Sequence, residues 1–521
     1  MAVYAYIDVS KKQEYIYKNS KLKDNLYRSF IIKAVTEELT GKIEMPDDDK
    51  DLETIIFLER YLNDNFPYQY AFQYSGGGNS IIRFETLENA VRFVRGYSFK
   101  VLEAYPDMEL YISLVDSEKD LSEDQGDKDI RDKLIERGDK LKDKRRSRFK
   151  RWSYGIEAIM EGGQPEQIQS RGQKVTDEKI IRIIRQYLFK KFEDALGNVV
   201  RLTPELQDYK KEDGKSYIGV ISIDGNKMGK MAKKIDSFDK LKTFSETIEK
   251  IYFNAIVEAL ENYRHKIGAK EILLTPVLQS GDDVCLIVEA EHAIKIAADI
   301  IDKIATNSLR DCNQEVLQDV IGPGYLTACG GVAIARYSYP FFEAVKIAER
   351  LCHRAKESIH SVKTMEEKRQ RNCFIHWEVV QSQVTTGISY ESYVKDRNIQ
   401  ERFHIKPLCI DQTDIVQDDI YSYEAFIKLV MAIQNEKDIS SFLENLKKQM
   451  YGGIEPYRLF LETNKQNSNT LKDLVGTALN EDMAKMVMGG NGKQITYILN
   501  DVLEALPFMA KMGEGFDGTG K

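Results

Sequence analysis

A short polar turn between two apolar runs is the feature that most constrains this chain. The runs cover residues 272–278 and 284–288, and residues 279–283 between them read Gln-Ser-Gly-Asp-Asp. Two apolar runs separated by a few turn-forming residues are typical of a β-hairpin. Such a hairpin presents the adjacent carboxylates of Asp282 and Asp283 at its tip, which is an arrangement suited to a divalent cation.

An upstream strand supplies a third carboxylate. Residues 217–223 are largely apolar and lead to Asp224, and residues 225–229 then read Gly-Asn-Lys-Met-Gly. If this strand lies beside the hairpin, Asp224, Asp282 and Asp283 converge. Adjacent strand residues point to opposite faces, so Asp282 and Asp283 need not be equal ligands.

The turns beside these acids are suited to phosphate. Backbone N–H groups of the loop at Gly225 and Asn226 can cradle a triphosphate. Gly281 lets the backbone turn sharply and lets a phosphate approach closely, and Ser280 can donate a hydrogen bond to a phosphate or a base. Lys356, late on a predicted helix, is placed to reach the same phosphates, and a surface lysine at a helix end is the alternative interpretation.

Clustered carboxylates of this kind suit nucleotidyl transfer. In this reaction the enzyme must hold a triphosphate, neutralise its charge and make the attacking hydroxyl more acidic. Two divalent ions roughly 3.5–4 Å apart meet all three needs when carboxylates bridge them. We therefore predict that Asp224, Asp282 and Asp283 are catalytic and bind metal. A polar β-turn without metal is the structural alternative, because Gly-Asp pairs are common in turns.

The predicted elements occur twice in the order βαββαβ. The second copy comprises strand 217–224, helix 237–263, strands 272–279 and 283–289, helix 290–307 and strand 327–335, followed by helix 340–359. The first copy comprises strand 2–8, helical segments through about residue 64, strands 68–74 and 80–84, helix 86–103 and strand 109–115. This order gives an antiparallel ferredoxin-like sheet with helices on one face, so we predict an α+β fold with two such domains.

The rest of the chain is predicted to be mainly helical. Residues 116–212 are highly charged and form a connector, in which the run 140–151 carries eight basic residues and one acidic residue. This basic run is either a solvated face or a contact with RNA backbone or an acidic partner. From about residue 410 the apolar spacing is helical, and the tail 513–521 is expected to be disordered.

The composition sets limits on the class of protein. At 521 residues the chain is long enough for three or four domains, and its net charge of −8 argues against non-specific binding of nucleic acid over the whole surface. No apolar run reaches the ~18 residues needed to cross a bilayer, and the N-terminus lacks the basic segment of a signal peptide. We therefore expect a cytoplasmic protein without a membrane partner.

With these motifs in place, the chain resembles the large polymerase-cyclase subunit of type III CRISPR effector complexes. Ser280-Gly281-Asp282-Asp283 is similar to the Gly-Gly-Asp-Asp motif of that family, and residues 224–229 are similar to its first palm strand and loop. Further similar segments are 330–335, 339–341 and 348–356 in the last palm strand and helix, and 13–16, 21–29 and 75–79 in a degenerate first palm.

The resemblance implies four domains. These are a degenerate first palm domain (1–115), a charged helical connector (116–212), a catalytic palm or cyclase domain (213–409) and a helical C-terminal domain (410–521). Two features of the family are expected to be absent, namely its His-Asp (HD) nuclease domain and the cysteine pairs of its zinc-binding insert. Ser280 replaces the first glycine of the motif, so the turn or the base pocket is expected to differ.

The resemblance also implies an activity. The family makes cyclic oligoadenylate from ATP when target RNA binds, by attack of a 3′-hydroxyl on the α-phosphate. One ATP would lie on Asp224, Asp282 and Asp283 through Mg²⁺ or Mn²⁺. The acceptor ATP would lie between the palms, near Gly76, Gly77, Gly78 and Asn79. The implied partners are other subunits of a type III CRISPR ribonucleoprotein, crRNA and target RNA.

Three alternatives remain open from the sequence. The enzyme could transfer AMP to another small acceptor such as S-adenosylmethionine, as some relatives do. It could instead be a non-catalytic scaffold that binds crRNA and partner subunits. Diguanylate-cyclase-like chemistry is less favoured, because those hairpins carry Gly-Gly-Asp/Glu-Glu-Phe, whereas Val284 follows the two aspartates here.

Overall fold

The structure is a computed structural model that describes most of the chain. The described residues are 2–18, 21–40, 55–122, 126–161, 176–212, 214, 216–268, 271–310, 314–321, 324–361, 372–380, 401–402, 404–410, 416–417, 420–436, 438–488, 495–496 and 498–511. The predicted disordered tail at 513–521 lies outside them. The side chains of residues 145–151 in the basic run also lie outside the described part.

A four-stranded antiparallel sheet forms the first palm. Its strands are β1 (Val3–Val9), β2 (Tyr70–Gly76), β3 (Asn79–Phe84) and β4 (Leu110–Asp116), in the spatial order β2-β3-β1-β4. Its helices are α1 (Lys12–Ile16), α2 (Leu22–Thr36), α3 (Leu58–Asn65) and α4 (Leu87–Ala104). The order and the antiparallel pairing are those of a ferredoxin-like sheet.

The connector packs against both palms. It contains α5 (Asp127–Glu161), α6 (Asp177–Ile184), a π-helical turn (Arg185–Phe189), α7 (Lys190–Leu196) and the short strand β5 (Val200–Leu202). Helix α5 lies on the first palm sheet, where the Ser113 hydroxyl donates to the Leu134 carbonyl over 2.7 Å. The connector is therefore mostly helical, as predicted, although β5 was not predicted.

The second palm has the same strand order as the first. Its elements are β6 (Tyr217–Gly225), α8 (Met228–Ala232), α9 (Phe238–Ile267), β7 (Ile272–Ser280), β8 (Asp283–Glu289), α10 (Ala290–Arg310), α11 (Gln314–Ile321), β9 (Ala328–Arg336) and α12 (Phe341–Glu357). The four core strands lie in the order β9-β6-β8-β7 and are antiparallel. This arrangement confirms the predicted α+β fold with two ferredoxin-like palms.

Additional strands widen the second sheet on both sides. On the β9 side they are β10 (Phe374–Val379), β12 (Leu408–Cys409), β13 (Val416–Gln417) and β14 (Ile420–Ser422), and on the β7 side the added strand is β5. The short strand β11 (Glu401–Arg402) lies in a separate two-stranded sheet. The nine-stranded order is β13-β14-β12-β10-β9-β6-β8-β7-β5, in which β10 pairs parallel with β9 and β5 pairs parallel with β7. The sheet therefore continues past residue 409, where we placed a domain boundary.

The C-terminal region is helical, as predicted. Its helices are α13 (Tyr423–Asn435), α14 (Ser440–Met450), α15 (Ile454–Thr463), α16 (Lys465–Ala478), α17 (Glu481–Val487) and α18 (Ile498–Ala505). One short strand, β15 (Ile495–Thr496), pairs parallel with β11.

Helices cover both faces of the second palm sheet, which corrects the expectation of helices on one face only. A Cβ atom on Gly330 would lie 2.8 Å from Ile301 Cδ1 of α10, whereas one on Gly331 would lie 2.0 Å from the Ala348 carbonyl of α12. Because successive strand residues point to opposite faces, α10 and α12 lie on opposite sides of β9. The doubly covered strand β6 is accordingly almost entirely apolar and buried.

Candidate active site

Three carboxylates meet where β6 ends beside the β7–β8 hairpin. Each of Asp224, Asp282 and Asp283 offers an oxygen, and these oxygens lie within 4.8 Å of one another. In the β6–β8 ladder Ile223 lies opposite Val284, so the next residues along each strand are Asp224 and Asp283. The antiparallel register therefore brings the predicted metal ligands together across sequence separations of more than fifty residues.

Gly225 allows this close approach. A Cβ atom at this position would lie 2.6 Å from Tyr252 Oη, 2.7 Å from Met228 Cγ and 3.0 Å from Asp282 Cβ. We predicted Gly225 as a nucleotide contact. Its environment gives it a steric role as well, because any side chain here would displace Asp282 or Tyr252.

Burial and neighbouring carboxylates raise the pKa of Asp282 and Asp283. Burial, followed by the charges of Asp283 and Asp224, raises the pKa of Asp282 to about 7. Desolvation by the surrounding protein, followed by the charge of Asp224, raises the pKa of Asp283 to about 6. Asp283 is exposed by surface area and Asp282 is half-buried, so mutual repulsion accounts for much of the shift at Asp283. A divalent cation at this position would relieve that repulsion.

Lys356 provides a positive charge at the same place. Its Nζ lies 2.5 Å from Asp224 Oδ2 and donates to the Gly225 carbonyl over 2.8 Å. Its charge acts to lower the pKa of both Asp282 and Asp283. Because a quarter of the Lys356 side chain is exposed, at 24%, it can turn from Asp224 toward a bound anion.

Asn226 fixes the loop that follows β6. Its Nδ2 donates to Thr327 Oγ1 and to the Asn372 carbonyl, each over 2.9 Å, and its backbone N–H donates to the Thr327 carbonyl over 2.8 Å. A phosphate contact from this N–H, as predicted, would require the bond to Thr327 to break. In the described residues Asn226 therefore acts first as an anchor of the loop.

The hairpin tip of the second palm has an open turn. Ser280 lies opposite Asp283 as the last pair of the β7–β8 ladder. Gly281 adopts φ +60°, and a Cβ atom there would meet nothing within 4 Å. Space therefore remains above the turn for the phosphate approach predicted at Ser280 and Gly281.

The glycine hairpin of the first palm faces the second palm. A Cβ atom on Gly76 would lie 3.0 Å from Ser245 Oγ of α9, and Tyr74 Oη lies 3.5 Å from the same oxygen. Lys33 Nζ donates to the Gln279 carbonyl over 3.1 Å, next to the acidic hairpin. The structure thus places residues 76–79 at the junction of the palms, where we predicted the acceptor.

Two residues at the acidic site were missed in the sequence. Tyr252 of α9 is fully buried, and its hydroxyl has no hydrogen-bond partner among the described residues. Glu349 of α12 is half-buried, and burial together with the charge of Asp283 raises its pKa to about 7. Both residues look like ordinary helix positions in the sequence, and only helix packing places them beside the acids.

The first palm also reaches the acidic site. Tyr17 is buried against the second palm, with its ring centroid 5.9 Å from that of Phe341. Burial raises the pKa of Tyr17, and the charges of Glu349 and Asp283 add to this effect. Lys12, near the start of the first palm, carries a charge that acts to lower the pKa of Asp283. The site is therefore bordered by residues from both palms.

The donor set fits a hard divalent cation. Asp224, Asp282 and Asp283 provide only carboxylate oxygens, which are the ligands that Mg²⁺ and Mn²⁺ prefer. The described residues contain two other groups of metal-capable side chains, Glu289 with Glu291 and His292, and His404 with Asp501 and Glu504. Lysine ammonium groups occupy both of these, through Lys211 and Lys406 respectively.

The second palm resembles a domain of known proteins. Residues 217–363 match the model of the Cas10/Cmr2 second palm domain. No curated protein matches the chain. Among the described residues, none of the helices has the length and apolar character needed to cross a bilayer.

Several solved structures resemble the whole chain. A Csm1–Csm4 subcomplex in the type III-A CRISPR-Csm interference complex matches with 14% identity and a TM-score of 0.48, over 97% of this chain and 70% of that one. A Csm1–Csm4 cassette in complex with cA3 matches with 12% identity and a TM-score of 0.48, over 98% and 70%. Csm1 in T. onnurineus matches with 13% identity and a TM-score of 0.46, over 98% and 70%.

The family match covers the segment that carries the three aspartates, the glycine loop and Lys356. It confirms the resemblance drawn from the motifs. Residues 217–363 are therefore similar to the second palm domain of Cas10/Cmr2 proteins.

Proposed function

We propose that this protein is a metal-dependent nucleotidyltransferase that converts ATP into a cyclic oligoadenylate within a type III CRISPR complex. The observation that carries the proposal is the convergence of Asp224, Asp282 and Asp283, whose oxygens lie within 4.8 Å of one another. The Cas10/Cmr2 palm match over the same segment supports it. Activation by target RNA and assembly with crRNA and other subunits belong to the same proposal.

The residues of the site have distinct roles in this proposal. Asp224, Asp282 and Asp283 would hold Mg²⁺ or Mn²⁺, and a bound ion would neutralise triphosphate charge and make the attacking 3′-hydroxyl more acidic. Lys356 turns from Asp224 to the phosphates of the donor ATP and stabilises the charge that forms on them. Ser280 and Gly281 leave room for the donor at the hairpin tip.

The junction between the palms provides the place for the acceptor. Gly76, Gly77, Gly78 and Asn79 lie on the first palm side of this junction. A nucleotide there would present its 3′-hydroxyl toward the α-phosphate of a donor on the aspartates. Pyrophosphate then leaves, and among the described residues the cluster of three aspartates lies on the second palm.

The test measures pyrophosphate release from ATP by the protein in its complex, with Mn²⁺ and with or without target RNA. The Asp282→Asn/Asp283→Asn variant should lose ~100-fold or more in rate, which is about 2.7 kcal/mol of transition-state stabilisation. A matched control, Glu481→Gln/Asp482→Asn, removes two adjacent acids from the first turn of α17 and should keep the wild-type rate.

Mass spectrometry of the products distinguishes the acceptors. Cyclic oligoadenylate supports the proposal as stated, whereas an AMP conjugate formed only when S-adenosylmethionine is added assigns a different acceptor to the same site. ATP binding without any turnover by the complex would show that the chain is a scaffold. An unchanged rate in the double variant would show that Asp282 and Asp283 do not carry the reaction.

A further inference from the structure

The first palm contains a lysine at the position where the second palm has its acidic site. The two hairpins have the same register, because Asp8 of β1 lies opposite Asn79 of β3, and Gly76 pairs with Asn79 as Ser280 pairs with Asp283. Asp8 therefore corresponds to Asp224, and Asn79 corresponds to Asp283.

The segments after the two strands also correspond. Lys11, three residues after Asp8, has φ 55°, and Lys227, three residues after Asp224, has φ 61°. Each of these residues precedes a five-residue helix, so Lys12 in the first palm corresponds to Met228 in the second. An apolar residue next to the acidic site has a lysine as its counterpart in the first palm.

The Lys12 ammonium is surrounded by oxygens. It lies 3.3 Å from Asp8 Oδ1, donates to Asn79 Oδ1 over 3.1 Å and donates to the Gly77 carbonyl over 2.9 Å. These oxygens belong to the positions that correspond to Asp224, Asp283 and Gly281. An ammonium group thus contacts the counterparts of two of the three predicted metal ligands, Asp224 and Asp283.

The surroundings of Gly78 and Asp8 also fit a positive charge at the Lys12 ammonium. A Cβ atom on Gly78, the counterpart of Asp282, would lie 3.1 Å from Lys12 Nζ, and Gly78 has φ +73°. A side chain at this position would therefore crowd the Lys12 ammonium and be strained by the positive φ. The second oxygen of Asp8 lies 2.7 Å from Lys142 Nζ of α5, just as Asp224 Oδ2 contacts Lys356.

We propose that Lys12 is a built-in cation that replaces the divalent ion in the first palm, so that the two-palm unit has a single metal centre. A tethered ammonium neutralises Asp8 and holds the glycine hairpin at the junction without a metal. The inference rests on the proposed function in one respect, because it assumes that the second palm binds a metal ion. It concerns metal binding and not turnover.

The test introduces carboxylates like those of the second palm into the first palm. It uses a variant in which the acidic site of the second palm has been removed. In an Asp282→Asn/Asp283→Asn background, Lys12→Met with Asn79→Asp should create a new site that binds about one Mn²⁺ per chain. Titration calorimetry and Mn²⁺ paramagnetic resonance measure this binding in the absence of nucleotide. The matched control is Lys11→Met with Asn79→Asp, which keeps Lys12 and should bind no Mn²⁺ at this position.

The outcomes separate this inference from the proposed function, because the experiment measures Mn²⁺ binding without nucleotide and does not depend on ATP turnover. The inference is wrong if the Lys11 control gains the same site. It is also wrong if the parent background already binds Mn²⁺ in a way that Asp8→Asn abolishes, or if the folded Lys12 variant binds none. Should Lys12→Met not fold, Lys12→Gln with Asn79→Asp keeps a polar side chain and is measured against the same criteria.

Discussion

At the scale of single residues, Lys356 links the fold to the chemistry of the acidic site. The Lys356→Met variant removes the positive charge that acts to lower the pKa of Asp282 and Asp283. Their protons should then be lost at higher pH, so the pH midpoint of Mn²⁺ binding should rise and ATP turnover should fall ~tenfold or more.

The matched control for that prediction lies on the same helix. Lys346→Met removes a lysine with a half-exposed side chain, and should leave the Mn²⁺ midpoint and the turnover near wild-type. Equal effects of the two variants would mean that any lysine on this helix influences the site through long-range charge, and that the contact between Lys356 and Asp224 has no specific role.

The acidic cluster also sets a pH dependence of stability. The pKa values of Asp282 and Asp283 are raised to about 7 and about 6, so the folded state retains protons that the unfolded chain releases near pH 4. Without metal, this contribution to the free energy of unfolding is favourable at low pH and is lost as the pH rises from about 4 to about 7.

Replacement of the two acids therefore stabilises the metal-free protein at high pH. Asp282→Asn/Asp283→Asn should raise the melting temperature in chelator at pH 8 by about 2 °C or more, with a smaller gain at pH 5. Thermal melts of wild type and variant at both pH values provide the check. An identical gain at pH 5 and pH 8 would contradict the mutual repulsion described for this cluster.

At the scale of elements, the packing of α12 on β9 decides where Lys356 lies. A Cβ atom on Gly331 would lie 2.0 Å from the Ala348 carbonyl and 2.4 Å from the Cys352 amide nitrogen. Gly331→Ala should push the helix away and cost about 3 kcal/mol or more of unfolding free energy, because backbone atoms cannot move aside like a flexible side chain.

The control for Gly331→Ala is the same substitution at Gly476 in helix α16, and urea denaturation measures the stability of both variants. In Gly476→Ala, the new methyl group would meet its nearest neighbour, Ala484 Cβ, at 3.9 Å. This substitution should be neutral or stabilise by up to about 1 kcal/mol, because alanine favours helix. Stability equal to wild type in Gly331→Ala would show that α12 is not held tightly on β9.

The element order was largely readable from the sequence, and the reasons are local. Apolar runs over 272–278 and 284–288, separated by turn residues, predicted β7 and β8 to within about two residues. The strand β5 (Val200–Leu202) was missed, because three residues carry no periodic signal and this strand exists only through its pairing with β7. Strands β11 to β14 have two or three residues each and were missed for the same reason, and β10, whose pairing partner β9 lies about 45 residues away, was missed as well.

At the scale of the whole molecule, a buried ion cluster joins the second sheet region to the last helix. Asp501 of α18 is fully buried, where it accepts from the Ile405 amide over 2.6 Å and lies 2.7 Å from His404 Nδ1 and 3.3 Å from Lys406 Nζ. Despite burial, Lys406 and His404 hold the pKa of Asp501 below its ordinary value.

Removal of that charge should weaken the whole molecule. Asp501→Asn leaves the cations near it without their buried partner, and should cost about 3–5 kcal/mol of unfolding free energy in urea denaturation at pH 7. Asp482→Asn, at a side chain that is 88% exposed, is the control and should change it by less than about 0.5 kcal/mol. A neutral Asp501→Asn would show that the cluster does not hold α18.

The sequence by itself determined the order of the main strands and helices of the two palms and the three aspartates, because apolar periodicity and turn residues are local properties of a chain. Only the tertiary structure decided which groups surround those aspartates. Tyr252, Glu349 and Lys12 reach the site through helix packing and through contact between the palms, which no local pattern records. The ammonium of Lys12 among the oxygens of the first hairpin is likewise visible only when residues about 65 positions apart are brought together by the sheet.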